Sequence, residues 1–424
     1  MSLLVAENSL LNINNSATII HTPSALNASS EINIMNVSCN SREVCDISQS
    51  TLPPIFVLNL DRAKDRWKNT VEVFREAGFE ESELNRLPAV DGRKLSEEDL
   101  LANTTFLARY LQPRGVLGCY LSHRTFWQLT VDRNYSAAII VEDDIQLIDG
   151  FREQLQVAMS NLCEESVCGE GPVDVALLGA LGRVHPDGHD TIATKFFAQY
   201  MGGSRPLKKL SKNIFQPIRA AGTHGYLVTR EGAQKLLALC PKAVFHIDLD
   251  AWRHRSLKIV MFHPVLVYQT FDSTSLTDLP ASSISSPSTM ANIGTGRSIP
   301  GKVKASLSGL VGSDVINATS LTGGFSLQKT ATSVLSRRLR WLVADPYTQQ
   351  PISHVLDEPL IQFGPGGPLL TVGRHAKIFS VMMILASYFS LCGQRFLSKL
   401  FFGGAVGFVV SIRSLIWLLM NWKE

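Results

Sequence analysis

Nine residues, Ala137-Ala138-Ile139-Ile140-Val141-Glu142-Asp143-Asp144-Ile145, set the strongest limit on what this chain can fold into. Five apolar residues run without a polar break into three adjacent carboxylates. The run lacks the alternation of a half-exposed strand, so it predicts a strand buried on both faces, as in a parallel sheet. The acids then stand at the strand's carboxyl end, the edge at which open α/β sheets bind ligands. Adjacent carboxylates repel one another, and a hard divalent cation with oxygen ligands relieves that repulsion. Such a cation can also clamp a diphosphate and take up charge on a leaving group. The rival reading of the same stretch is a solvated acidic turn.

A chain of 424 residues with 45% hydrophobic and 18% charged residues can bury a substantial core, in one large domain or two ordinary ones. Its net charge of +3 gives no electrostatic case for nucleic-acid binding, though it suits an anionic small ligand. None of the seven cysteines forms a C-x-x-C pair, which weighs against zinc and thioredoxin-type chemistry. Cys163 and Cys168 read either as a short bridge or as ordinary thiols. The amino end lacks the basic region and long apolar run of a cleaved signal peptide.

Residues 1–50, rich in Asn and Ser, read as a mobile extension. Ile55 to Leu60 predicts a buried strand. Asp61 is placed to cap the following helix, which carries Trp67, Val71 and Phe74 at helical spacing. That helix start, with Arg62 and Arg66, forms a candidate phosphate site. Arg86 to Gly92 reads as a strand closing in an Asp-Gly turn, residues 96–111 as helical, and Gly115 onward as a helix bearing Ser122 and His123. Adjacent helical side chains do not face each other, so Ser122-His123 is no nucleophile–base pair. After the acidic strand end come a helix to about Asn161, a strand from Val173 to Gly179, and a long loop over 182–213. A strand from Arg219 to Thr229 is interrupted by Gly222 and Gly225, which signals close approach of backbone or ligand. In His246-Ile247-Asp248-Leu249-Asp250, an extended backbone would point both carboxylates the same way, toward a general-base or second metal role.

Residues 276–336 form a Ser-, Thr- and Gly-rich linker, and 337–372 carry no assignment. The segment 376–421 is apolar and helical. Ile378 to Cys392 is short for a membrane crossing; Leu400 to Met420 is about spanning length but is interrupted by Arg413. It reads as a membrane attachment, either an anchor that enters the bilayer or a pair of surface helices, with a buried hydrophobic hairpin as the alternative.

Five pieces stand in order: Asn59-Leu60-Asp61-Arg62, Leu87-Pro88-Ala89-Val90-Asp91-Gly92, Gly118-Cys119-Tyr120-Leu121-Ser122-His123, Glu142-Asp143-Asp144, and Gly225-Tyr226-Leu227-Val228-Thr229-Arg230-Glu231-Gly232-Ala233. Together they resemble glycosyltransferase family 25, over about residues 52–275. The resemblance implies an α/β, GT-A-like domain with a mostly parallel central sheet. It also implies a UDP-sugar donor and inverting transfer of a hexose, galactose foremost, to a glycan, lipid-linked or protein hydroxyl. Residue by residue, it implies that Asn59, Arg62, Arg66, Ser122, Gly225 and Tyr226 line the donor site. It gives Glu142, Asp143 and Asp144 to manganese or magnesium, and His123 and Asp248 to catalysis. The His-Ile-Asp-Leu-Asp spelling departs from the family pattern and leaves Asp248 and Asp250 both open as the base. Two other functions fit the residues less fully. One is a catalytically silent relative that binds a glycan or partner at a membrane; the other is a metal-dependent nucleotidyltransferase.

Overall fold

The computed structural model describes residues 52–162, 171–187, 195, 202–270 and 359–421. The predicted extension over 1–50, the linker over 276–336 and both Cys163 and Cys168 lie outside the described residues.

The chain begins with strand β1 (Ile55–Asn59), helix α1 (Lys64–Glu76) and strand β2 (Leu84–Pro88). Helices α2 (Glu97–Asn103), α3 (Phe106–Leu111) and α4 (Arg114–Asp132) follow. Next come β3 (Ala137–Glu142), β4 (Ile145–Leu147) and α5 (Phe151–Leu162). The middle holds β5 (Val175–Leu177), β6 (Leu181–Arg183), β7 (Lys208–Lys209), β8 (Ile214–Gln216), β9 (Arg219–Ala221) and β10 (Gly225–Thr229). Helices α6 (Arg230–Leu239) and α7 (Ile247–Ala251) lead to β11 (Ile259–Phe262) and β12 (Val267–Gln269). The last elements are β13 (Pro359–Gln362), β14 (Leu369–Thr371), α8 (Val372–Leu391) and α9 (Arg395–Asn421).

Eight strands make one sheet in the order β2-β1-β3-β10-β5-β11-β8-β7. Only β10 and β8 run against the others, so the sheet is mostly parallel in direction. The apolar run of β3 is sealed on both faces, as its lack of alternation predicts, and its residues divide by pleat between two cores. Ala138 and Ile140 join Phe126 and Trp127 of α4 and Leu236 of α6. Ala137, Ile139 and Val141 join Val71 and Phe74 of α1 and Phe151 and Leu155 of α5. Helices thus cover both faces of an α/β sheet.

Four local expectations change. Asp61 does not cap α1: Ala63 folds back on Leu60 (2.8 Å), the helix starts later, and Asp61 pairs with Arg86 at 2.8 Å. The helical region 96–111 is broken where Thr105 N–H donates to the Ala243 carbonyl at 3.1 Å and Thr105 caps α3. The strand 219–229 is cut into β9 and β10 at Gly222, whose φ of +86° suits glycine. Finally, 246–250 is helical, because Asp250 N–H donates to the His246 carbonyl at 3.0 Å. Two residues apart on a helix, Asp248 and Asp250 point to different sides.

The unassigned stretch before the apolar tail contains the β13–β14 hairpin, which docks on the domain. Gln112 donates to the Leu360 carbonyl (3.0 Å), Gly364 N–H to the Tyr110 carbonyl (3.2 Å), and His246 Nε2 meets the Pro359 carbonyl (2.5 Å). Helices α8 and α9 pack on each other. By length and composition, α9 is long and apolar enough to cross a membrane, yet its last turns bury Ile416, Leu419 and Met420 against the domain core.

The seat of α6 on the sheet leaves no room at its first turn. A Cβ on Gly232 would lie 2.1 Å from the Asp174 carbonyl oxygen. Gly232→Ala is expected to lower stability by about 1–3 kcal/mol in urea unfolding, with the urea dependence otherwise unchanged; an unshifted midpoint would contradict this packing.

Candidate active site

Three elements converge at the carboxyl ends of β1 and β3. Asn59 closes β1 and is buried. Its amide donates to the Asp143 carboxylate at 2.6 Å and to the Ala63 carbonyl at 3.0 Å, while its oxygen accepts from Arg86 at 2.9 Å. One turn into α1, Arg66 reaches over the strand end and bridges two acids, with Nη1 2.9 Å from Asp143 and Nη2 2.7 Å from Asp144. Thr70, on the same helix face, donates to the Asp143 carbonyl at 3.1 Å. The predicted acidic cluster is therefore real, inward-facing, and partly neutralised by one guanidinium. Burial raises Asp143 above the usual carboxylate range, although Arg66 and Asn59 pull the other way. Burial together with the charge of Glu142 outweighs Arg66 at Asp144 and pushes it up to about 7. Asp144 Oδ1 is buried and accepts no hydrogen bond.

Glu142 faces a second set of groups. The Trp127 indole donates to the Tyr226 hydroxyl at 2.9 Å, and that hydroxyl meets His123 Nδ1 at 3.0 Å. The buried hydroxyl satisfies its own proton by donating to Nδ1, which assigns the His123 proton to Nε2. That nitrogen lies 3.5 Å from Glu142 Oε1, which accepts from the Thr223 hydroxyl at 2.7 Å. Burial alone would raise Glu142, but His123, Thr223 and His224 hold it well below the usual range. His224 is itself kept neutral by burial, down to about 4, against the charges of Glu142 and Asp248, and its Nδ1 is buried without a partner. Asp248 closes the row: its Oδ2 accepts from Gly222 N–H at 2.6 Å and its Oδ1 from Leu249 N–H at 2.8 Å. The tripeptide Gly222-Thr223-His224, between β9 and β10, thus links Glu142 to Asp248. Thr223 and His224 were missed in the sequence. The glycine-interrupted strand marked their neighbourhood, but no local pattern marks which side chains the interruption turns inward.

The remaining predicted residues also make contacts within the protein. Arg62 pairs with Asp91 at 3.1 Å, tying α1 to the loop after β2. Ser122 accepts from Val90 N–H (2.8 Å) and donates to the Gly118 carbonyl (2.7 Å), so it fixes that same loop from α4. Tyr226 is fully buried beneath His123, and Gly225 packs on Val267, whose side chain would stand 3.1 Å from an added Cβ. His123, fully buried, stands behind Glu142. Asp250 is turned away from the acidic cluster: it accepts from Tyr120 at 2.6 Å and Arg253 at 3.0 Å and is 3% exposed.

A divalent cation suits the Glu142–Asp144 cluster. The donors are hard oxygens, their charge exceeds what Arg66 supplies, and Asp144 Oδ1 has an unused lone-pair set in a buried position. Cys240, Asp250 and His254 also bring ligand atoms within 4.8 Å of one another. There, however, both Asp250 oxygens are engaged, and burial with the charges of Arg253, Arg205 and Arg219 lowers His254, surroundings that repel a cation.

Residues 52–250 match the profile of glycosyltransferase family 25 (LPS biosynthesis protein), and the chain carries a domain of that family. Among curated relatives, procollagen galactosyltransferase 2 of Homo sapiens is 27% identical over 242 residues, covering 51% of this chain and 35% of the relative. A glycosyltransferase 25 family member of Drosophila melanogaster is 29% identical over 202 residues, 46% of this chain and 29% of the relative. Procollagen galactosyltransferase 1 of Danio rerio is 25% identical over 259 residues, 54% of this chain and 39% of the relative. The chain therefore spans about a third of the length of these relatives.

Asp144 makes the site's charge legible in solution. Its value near 7 lies above the ordinary 3.8, so the neutral form's contribution to stability is complete below about pH 4 and lost as pH rises to about 7. In EDTA, the melting temperature of Asp144→Asn relative to wild type is expected to climb across that window; parallel curves would contradict the buried, charge-crowded placement of Asp144.

Proposed function

We propose that this chain is an inverting glycosyltransferase that moves a hexose, galactose foremost, from a UDP-sugar to a hydroxyl of a glycan, lipid-linked glycan or protein. The observation that carries this reading is the buried, unpartnered oxygen of Asp144 within a carboxylate cluster at the carboxyl end of the central strand. The family and the galactosyltransferase names of its relatives support the sugar. The arrangement, with a parallel sheet delivering acids to a strand end, fits a GT-A-like domain.

In this reading Glu142, Asp143 and Asp144 hold manganese or magnesium. The cation, when bound, supplies positive charge to the donor's diphosphate. Asn59, Arg66 and Arg62 form the donor side: Asn59 and Arg66 orient the carboxylates, and the guanidiniums add charge where the nucleotide diphosphate departs. Asp248 is the base. The acceptor oxygen bonds to the anomeric carbon as the bond to the diphosphate breaks, and the acceptor proton passes to the Asp248 carboxylate. One displacement gives inversion without a covalent intermediate. The burial of Asp250 and its Tyr120 and Arg253 hydrogen bonds favour Asp248 over it in this role. His123 and Tyr226 are positioning residues that fix Glu142; Ser122 and Gly225 shape the walls. The apolar segment 376–421 attaches the domain to a membrane.

Transfer from a radiolabelled nucleotide sugar tests the assignment. Asp144→Asn is expected to lose transfer while keeping its fold. Asp248→Asn is expected to lose about 10²–10⁴-fold in kcat with donor affinity retained. Wild-type turnover by either variant would remove that residue from the mechanism.

A further inference from the structure

The tail is fastened to the catalytic domain at both ends. At its start, the β13–β14 hairpin docks on α3 and His246, and α8 runs on from β14 and packs against it. At its finish, Arg253 donates to the Met420 carbonyl (2.5 Å) and to Asn421 (3.1 Å). Between these points the two helices close on themselves through small or stacked groups: Ala386 and Ala405 are buried, and Phe389 stacks on Phe401 at 5.4 Å. Much of what remains outside is apolar. Ile384 is 66% exposed, Leu391 89%, Phe396 77%, and Leu400, Val410 and Trp417 more than half. Water does not favour so many large apolar side chains exposed on one hairpin, which marks a surface with a partner.

Charge selects the partner. Residues 372–421 contain Arg374, Lys377, Arg395, Lys399 and Arg413 and no Asp or Glu. Length selects the geometry. Although α9 as a whole is long enough to cross, Arg413 interrupts it, and the charge-free runs Ile378–Leu391 and Leu400–Ile412 rise only about 20 Å each, against a hydrocarbon core of about 30 Å. The turn joining α8 to α9 is followed by Arg395 and Lys399, and mid-bilayer is an expensive place for such charges. Tyr388 and Trp417, both exposed, are side chains that favour the headgroup level.

We infer that the α8–α9 hairpin is an interfacial docking surface for an anionic bilayer, lying along the headgroup boundary instead of crossing it. Its apolar flank enters the acyl boundary and its five basic side chains meet lipid phosphates. The inference rests on the reading of segment 376–421 as membrane-associated and is independent of the transfer chemistry.

Flotation of the full chain with vesicles tests it. Binding is expected to be about tenfold or more tighter on phosphatidylcholine containing about 30% phosphatidylglycerol than on phosphatidylcholine alone, and to weaken in high salt. The triple variant Ile384→Asp, Leu400→Asp, Val410→Asp, changed only at exposed positions, is expected to stay folded by thermal melting and to lose flotation. Equal binding to both vesicle types would overturn the anionic interface while leaving membrane attachment standing. So would labelling of Cys392 by an impermeant maleimide trapped inside the vesicles, since that thiol sits at the hairpin turn. Absence of binding to either vesicle would overturn both, as would a wild-type dimer that the triple variant dissolves. Transfer to a soluble acceptor, measured on the same preparations, separates these failures from failure of the enzyme reading.

Discussion

The structure depends on one guanidinium holding two carboxylates at the end of a buried strand. Arg66 at 2.9 and 2.7 Å from Asp143 and Asp144 is what lets three consecutive acids face inward. Without it, mutual repulsion and desolvation would act in the same direction and drive the strand end outward. The compensation is incomplete by design of the local sequence: one positive charge faces two acids, with Glu142 directed to a separate histidine-lined recess. The deficit leaves Asp144 raised and one of its oxygens unsatisfied. A site with spare negative charge, in a region shielded from water, binds a positively charged ligand with less reorganisation than a neutral one would require.

The sheet explains why the acid cluster and Asp248 share one wall. Parallel β1 and β3 deliver Asn59 and the acids to the same edge, whereas β10 runs opposite to β3 with Gly225 across from Val141. The chain entering β10 must therefore pass that edge. Gly222, Thr223 and His224 do so, carrying hydrogen bonds to Glu142 on one side and Asp248 on the other. A direction reversal in the sheet thus brings residues more than eighty positions apart into one row.

That row also marks how far the sequence could be read. Unbroken hydrophobicity and the acids that follow are local features, and both cores of β3 and the acid cluster follow from them. Pairings such as Asp61 with Arg86, Arg62 with Asp91 and Thr223 with Glu142 depend on strand order, which periodicity does not encode. The error over Asp248 and Asp250 has a different origin. Five residues are too few to distinguish extended from helical backbone by pattern, and the choice decides whether two acids share a side. Ser122, His123 and Tyr226 were recognisable by type but not by depth. Ser122 and the Tyr226 hydroxyl spend their hydrogen bonds inside the protein, and His123 Nε2 is buried without one, which only packing reveals.

The clasp on α7 has an engineering consequence. This short helix carries Asp248, is touched just before its first residue by β13 through His246, and just after its last by α9 through Arg253. A cut placed before residue 359 to make a more manageable protein would strip both contacts at once. It would also uncover the core surface that Leu360, Ile361, Ile416 and Leu419 occupy. Solubility gained by trimming would come with a loosened α7 and a displaced Asp248, so detergent is a safer route to the intact fold than a shortened gene.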